Sequence, residues 1–236
     1  YGFLLPNIIG FMIFTFLPIV ASFVLSFTDW DGFGDINFIG LDNFIKLFSD
    51  EVFKVSMWNT LVFTVVSVPI TLVLALLVAM LLNKGIKGIR IVRAAFFLPY
   101  ITAAIAVAVV WQLLYHPTLG PINQFLISIG VTNPPKWLSS TSTAMLAVII
   151  MYIWKMTGYY MIILLAGLQG IPRELYEASP IDGANKWKTF INVTLPMLSP
   201  VVFFTSIIAL INSFKVFTEI YALTGGGPGY STNVLV

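Results

Sequence analysis

The sequence has no cysteine, a single histidine and few charged residues. The absence of cysteine excludes disulfides and thiolate metal sites, and one histidine, His116, cannot form a histidine cluster. Charged residues make up 9% of the chain, against about 25% in an average soluble domain. The glycine-rich stretch 225–229 lacks the lysine of a phosphate-binding loop. We therefore expect this chain to bind no metal, cofactor or nucleotide itself, and a net charge of +2 gives no sign of a nucleic-acid partner.

Long uncharged runs take the place of the missing charges. Hydrophobic residues make up 58% of the chain, and a run of about 20 apolar residues spans the hydrocarbon core of a bilayer as a helix. In lipid the backbone must satisfy its own hydrogen bonds, which favours helices. The fold class is therefore predicted to be all-α, a polytopic transmembrane helical bundle that forms one domain over 1–236. Helical spans are predicted near 3–27, 58–83, 94–116, 142–168 and 197–222.

The loop charges predict the orientation of these spans. The loop 28–57 carries six acidic and two basic residues, whereas 84–93 carries four basic residues and no acidic one. Short basic loops stay in the cytoplasm, so 84–93 and 169–196 are both predicted to be cytoplasmic. Five spans would leave the C-terminus outside. Because the chain begins without Met, we expect a piece of a longer product with a sixth span.

A polar island interrupts the apolar runs at 177–196, EASPIDGANKWKTFINVTLP. It contains Glu177, Asp182, Lys186 and Lys188, and it predicts two short helices joined by a turn at Asp182-Gly183. Trp187 and two later apolar residues fall on one face of the second helix. The composition alone also allows an amphipathic helix lying on the lipid headgroups.

The island resembles the EAA loop of ABC-type importer membrane subunits. That pattern is Glu-Ala-Ala, three residues, Gly, and about nine residues to an apolar-x-Leu-Pro. The chain departs from it at Ser179, which replaces the second Ala, and at Pro180, which is expected to end the first short helix early. Similar segments of the maltose-transporter type, in the branch for sugars and glycerol phosphate, occur in order along the chain. They are LPNIIGFMIFTFLPIVASFVLSFTDW, FIGLDNF, WNTLVFTVVSVP, FFLPY, AGLQGIPRELYEA and LTGGGPGYST.

The resemblance implies a permease subunit of an ATP-driven, binding-protein-dependent importer in the bacterial or archaeal cell membrane. The implied partners are a second permease subunit, two cytoplasmic ATPase subunits that hold ATP and Mg, an extracytoplasmic solute-binding protein and a carbohydrate cargo. The chain itself would not be an enzyme. The loop 169–196 would fold as a coupling helix in a cleft of an ATPase subunit. The implied coupling residues are Glu177, Ala178, Ser179, Asp182, Gly183, Ala184, Leu195 and Pro196.

Polar residues inside the spans are candidates for the translocation path. A charge near mid-membrane, such as Lys155, costs about 2.5–3.5 kcal/mol on insertion scales, so it should face the bundle interior, either in an ion pair or carbonyl contact or along a path. Lys215 and Glu219 are spaced i, i+4 and are expected to share one face of the fifth span, and the same pair can be read as snorkelling at the interface. Both lysines suit an anionic cargo, whereas aromatic and amide groups suit a neutral sugar. The candidate path residues are Lys155, Tyr159, Asn212, Ser213, Lys215 and Glu219.

Two other classes compete with the importer subunit. An ion-driven secondary transporter of small polar solutes would favour carboxylates within spans and internal inverted repeats. Only Glu219 approaches the first, and no repeat is visible. A membrane-embedded enzyme would need a nucleophile, metal or acid–base cluster, and the sequence offers none. In the importer hypothesis, Glu177→Lys or Gly183→Asp would uncouple transport from ATP hydrolysis.

Overall fold

A computed structural model describes residues 2–83 and 88–236, so Lys84 and Lys87 of the basic loop lie outside the described residues. Within these ranges the chain is helical, and its one strand-like feature is an isolated bridge between Thr28 and Phe38. Four helices are long and apolar enough to cross a membrane, or five spans if one bent helix pair counts as a span. This confirms the predicted all-α transmembrane class.

The chain divides into two compact units, one up to Lys54 and one from Val55 onward. The expectation of a single domain over 1–236 stays a prediction. In the first unit, α1 runs over Gly2–Leu25 and includes a π-helical stretch at Met12–Phe16. The short helix α2 follows at Asp42–Ser49.

The loop between α1 and α2 is organised by two side-chain clamps. The backbone N–H and the side-chain amide of Asn37 both donate to the Asp29 carboxylate, at 3.0 and 3.2 Å. The Asn43 amide donates to the carbonyls of Ser26 and Thr28, at 3.0 and 2.8 Å. The hydrogen bonds from Asn37 lower the pKa of Asp29 below its ordinary value, because they stabilise the charged carboxylate.

The later part of the chain contains eight helices within the described residues. They are α3 (Glu51–Leu82), α4 (Ile89–Ile101), α5 (Ala104–Leu114), α6 (Pro121–Ser128), α7 (Ala144–Gln169), α8 (Arg173–Ile181), α9 (Lys186–Phe214) and α10 (Thr218–Thr224). Helix α7 lies at the centre of the bundle, since 67% of the residues in its most apolar 18-residue segment are buried. It packs against α4, α9 and α10.

Small residues allow α4 and α7 to approach closely. A Cβ placed on Gly158 would lie 1.8 Å from the carbonyl oxygen of Phe96, so only glycine fits there. Helix α3 likewise buries a face of small and hydroxyl residues. The close backbone approach of α4 and α7 is one way in which helices associate in a membrane, where lipid removes the hydrophobic advantage of large side chains. The buried small and hydroxyl residues of α3 are Ser56, Thr60, Thr64, Ser67, Thr71, Ala75 and Ala79.

The prediction of one continuous helix at 94–116 is wrong. Helices α4 and α5 meet at a bend of 98°. Thr102 and Ala103 leave the helical conformation with ψ of 140° and 128°, so α4 ends at Ile101, two residues after Pro99. Apolar composition continues through the break, so hydropathy alone does not detect it.

The prediction of a fifth span at 197–222 is also wrong at both ends. Helix α9 begins at Lys186, because the Asn185 side chain caps it by accepting from the Lys188 N–H at 2.9 Å. It continues through a π-helical stretch at Phe190–Thr194 directly before Pro196. A π-bulge is one way in which a helix accommodates a missing backbone N–H. The helix ends at Phe214, and α10 is a separate element.

Candidate functional site

The polar island contains the predicted short helix and turn, but the predicted second short helix is wrong, because it is the first part of the long helix α9. Helix α8 ends in a Schellman turn, in which the Gly183 N–H donates to the Pro180 carbonyl at 3.0 Å and the Ala184 N–H donates to the Ser179 carbonyl at 2.9 Å. This turn requires a left-handed residue, and Gly183 has φ +75°. The expectation that Pro180 ends α8 early is wrong, because the helix includes Pro180 and ends one residue later, at Ile181.

Two hydroxyl contacts hold α8 against the start of α9. The Ser179 hydroxyl lies 2.9 Å from the Thr189 hydroxyl, and the Tyr176 hydroxyl lies 3.2 Å from that of Thr194. Ser179 and Thr194 are both buried. Ser179, where the family pattern has Ala, therefore points into the loop and ties its two helices together.

The outer surface of this loop is formed by the remaining predicted coupling residues. Glu177, Ala178, Asp182 and Gly183 are exposed, and Ala184 is half-buried. Leu195 and Pro196 are also exposed, but they lie inside α9 and not at its start.

Sequence reasoning missed Ile181. Its side chain is 86% exposed at the tip of the loop, next to the Asp182-Gly183 turn. A large apolar residue beside a turn in a polar island was the available signal.

A second group of polar residues lies in the membrane-spanning part of the chain. The Lys155 ammonium on α7 lies 2.6 Å from a carboxylate oxygen of Glu219 on α10, and these side chains are 7% and 18% exposed. Lys155 therefore faces the interior, as predicted. The expected face-sharing of Lys215 and Glu219 is wrong, because α9 ends at Phe214 and Lys215 lies in the break before α10.

A cavity of about 210 Å³ brings four of the six predicted path residues together. The other two do not line it: Ser213 is buried and donates to the Leu210 carbonyl at 2.8 Å, and Tyr159 lies behind Tyr100. The cavity is lined by Tyr100, Tyr152, Lys155, Met156, Asn212, Lys215, Val216 and Glu219.

Two tyrosines, Tyr100 and Tyr152, line this cavity, and two more contact residues of its lining. Tyr100 and Tyr159 stack with centroids 4.4 Å apart and an interplanar angle of 16°. The Asn212 amide donates to the Tyr160 hydroxyl at 3.2 Å, and Tyr152 lines the cavity itself. Sequence reasoning missed Tyr100, Tyr152 and Tyr160. Tyr100 was visible as the last residue of FFLPY, and the tyrosines of α7 flank Lys155 at helical spacing.

The described residues contain no group of three His, Asp or Glu side chains that could hold a metal ion. The chemistry of the cavity is therefore that of one ion pair, one further lysine, an amide and several phenol rings. Such a set can hydrogen-bond a polar ligand and stack against a ring.

Comparison with known proteins identifies the family. Residues 52–234 match the family described as "Binding-protein-dependent transport system inner membrane component". The trehalose/maltose transport system permease protein MalF of Thermococcus litoralis is 37% identical over 98% of this chain and 79% of its own length. The sn-glycerol-3-phosphate transport system permease protein UgpA of Yersinia enterocolitica is 37% identical over 100% of this chain and 80% of its own.

Solved structures agree with these sequence matches. A chain of a bacterial ABC transporter involved in the import of the acidic polysaccharide alginate is 28% identical, with a TM-score of 0.82 over 99% of this chain and 80% of its own. A chain of a bacterial alginate ABC transporter, solved in complex with an alginate pentasaccharide-bound periplasmic protein, matches with a TM-score of 0.83 over 99% of this chain and 79% of its own. The chain therefore belongs to the family of inner-membrane components of binding-protein-dependent transport systems.

Proposed function

We propose that this transport-system membrane subunit carries a carbohydrate through the cavity beside Lys155 and Glu219. The observation that carries the proposal is the combination, in one cavity, of hydrogen-bonding side chains with the rings of Tyr100 and Tyr152. Sugar rings present hydroxyls at their edges and apolar C–H faces, which suit such a lining. Related subunits are described for trehalose/maltose, for glycerol phosphate and for alginate.

The polar island is proposed to be the coupling loop that contacts an ATPase subunit. Gly183 fixes the turn of the island, and hydroxyl contacts hold its two helices together, so the island forms a small, defined helix–turn–helix surface. Exposed Glu177 and Asp182 can accept hydrogen bonds or pair with an arginine of the partner, and Ile181 offers an apolar anchor. ATP and Mg would be held by the two ATPase subunits, and a second permease subunit would complete the path.

The orientation is part of the same proposal. The loop 169–196 would lie on the cytoplasmic side, where ATP is available, with the basic loop 84–93. The acidic loop between α1 and α2 would lie outside, on the side of the solute-binding protein. Cysteine labelling with a membrane-impermeant maleimide tests this: a cysteine at exposed Asp182 should react only in inverted vesicles, and one at exposed Asp35 only in right-side-out cells.

Coupling is tested by substitutions on the loop surface in the assembled importer. Glu177→Lys should abolish transport while ATP hydrolysis by the complex continues, and Glu174→Lys, which reverses an exposed carboxylate one turn earlier on α8, is the matched control. Gly183→Asp adds a side chain and a charge to the loop surface, so it should uncouple more strongly than Gly183→Asn, which adds a side chain of the same size without the charge; both residues tolerate the left-handed conformation of this position. Normal transport by Glu177→Lys at normal expression would contradict the coupling role.

An ion-driven secondary transporter is less consistent with the geometry. Its coupling would favour a free carboxylate within the membrane, whereas Glu219 is paired with Lys155. The two mechanisms are separated by transport measured with an ATPase poison and, in parallel, with a protonophore. Loss of uptake only with the protonophore would overturn the importer assignment.

A further inference from the structure

The charges that line the cavity do not cancel. Lys155 and Glu219 neutralise each other across a 2.6 Å contact. Among the described residues the ion pairs are this one and Lys54–Glu51, so Lys215 lines the cavity without a carboxylate partner. The cavity therefore carries one net positive charge.

The two lysines are in different situations. Lys155 is buried and its charge is used by Glu219, so a ligand would have to displace a charge-assisted hydrogen bond in order to use it. Lys215 is exposed and lies in the break between α9 and α10. Its ammonium is the positive charge that an incoming ligand can meet without breaking an existing contact.

Glu219 also influences what the cavity accepts. A free carboxylate at this position would repel an anionic ligand, but its pairing with Lys155 removes that repulsion. The pair thus leaves Lys215 to determine the sign of the cavity. A lysine ammonium is a compact point charge, which suits a single carboxylate or phosphate group.

We propose that Lys215 is a specificity-determining residue that selects an anionic carbohydrate, meaning a saccharide with a carboxylate or phosphate group. The inference rests on the proposed function of the same cavity. The sugar ring would lie against the tyrosine rings while the acidic group meets Lys215. A purely structural role is the alternative: Lys215 follows the last residue of α9, where a cation stabilises the unpaired carbonyls of a helix end. That role predicts a change in stability that does not depend on cargo charge.

The test uses the complete importer with its solute-binding protein in proteoliposomes, supplied with ATP. Trigalacturonate and maltotriose serve as anionic and neutral probes of equal length, and their affinities for the solute-binding protein are measured separately by calorimetry. The wild type is expected to transport trigalacturonate in preference to maltotriose. Lys215→Gln should lower kcat/KM for trigalacturonate about 10- to 100-fold, the range expected for a lost charge-assisted hydrogen bond. Lys215→Arg should retain most of it.

A double variant isolates the role of the ion pair. Lys155→Met together with Glu219→Met removes one charge of each sign, so the cavity keeps one net positive charge and the ratio of anionic to neutral transport should persist. Glu219→Gln alone adds a positive charge and should raise that ratio.

Different failures have different meanings. Equal losses for both probes in Lys215→Gln, or preferential transport of maltotriose by the wild type, would overturn the charge proposal and leave the carbohydrate function standing. A wild type that moves neither probe would contradict the carbohydrate function and the charge proposal with it.

Discussion

Gly158 is the position where the packing of this bundle is most sharply testable. A Cβ there would lie 1.8 Å from the Phe96 carbonyl oxygen and 2.5 Å from its carbon. An ordinary carbon–oxygen contact is about 3.3–3.6 Å, so Gly158→Ala must move α4 and α7 apart locally by about 1.5 Å. The obstacle is backbone, which cannot rotate away. Overpacking costs about 1–3 kcal/mol, and the better helix propensity of alanine returns about 1 kcal/mol.

Placing Gly158→Ala at the upper end of that range gives a net loss of about 2 kcal/mol. For a chain of this size the loss corresponds to a melting temperature about 4–8 °C lower, measured on detergent-solubilised protein by tryptophan fluorescence.

Two control variants in the same chain test whether the loss of melting temperature follows the closeness of the contact. A Cβ on Gly167 would meet methyl groups of Leu198 and Val201 at 2.8–3.0 Å; these are side chains that can shift, so Gly167→Ala should cost less. A Cβ on Gly10 has no described atom within 4 Å, so Gly10→Ala should not lower the melting temperature. If Gly158→Ala has the same melting temperature as the wild type, the close approach of α4 and α7 is refuted.

Three further predictions concern other contacts. Lys155→Met and Glu219→Met should each destabilise the fold by about 3–5 kcal/mol, because each leaves a buried charge unpaired. The double variant should regain most of that loss. Thermal unfolding of all three variants checks the pairing, and losses that add in the double variant would contradict it. The buried side chain of Asn123 in α6 hydrogen-bonds two carbonyls and an indole. Asn123→Ala should therefore cost about 1–3 kcal/mol, seen as faster hydrogen exchange in α6. The pKa of Asp29 is lowered in the fold, so its hydrogen bonds stabilise the loop at pH values above the ordinary pKa of 3.8. This stabilisation is lost as the pH falls through the lower pKa of the folded state. Asn37→Ala removes the side-chain donor and should raise the pKa of Asp29 part of the way back in an NMR titration.

The helical class and the turn of the island could be predicted because they depend on local composition. Uncharged runs longer than a bilayer crossing leave little choice but helices, and Asp182-Gly183 supplies a left-handed residue in the right place. The ends of the spans could not be read in the same way. Thr102 and Ala103 break the run without any charged residue to mark the break, while Pro196 marks no boundary because a π-helical stretch precedes it.

The sequence predicted four of the residues that line the cavity, but not the partner of Glu219. Lys155 and Glu219 are 64 residues apart, and their contact depends on α10 turning away from α9, which the sequence does not reveal. The i, i+4 spacing of Lys215 and Glu219 suggested the wrong partner, since such spacing has meaning only within one continuous helix. Tyr100 was overlooked because its stacking on Tyr159 depends on the packing of α4 against α7, which the sequence does not reveal.

Helix α9 connects the two proposed sites directly. It begins at Lys186 in the coupling loop, and its last turn carries Asn212, with Lys215 immediately after it. Its 29 residues correspond to a length of about 43 Å at 1.5 Å per residue. A movement of the loop would therefore reach the cavity through this one helix. The opposite wall of the cavity belongs to α7, to which α10 is fastened by Lys155 and Glu219. Because Lys215 lies in the break between α9 and α10, a shift of α9 against α7 would change the position of Lys215 and Asn212 while the ion pair stayed closed. If the loop has the proposed coupling role, the break after Phe214 would therefore separate the part of the cavity that moves with α9 from the part that the ion pair holds against α7.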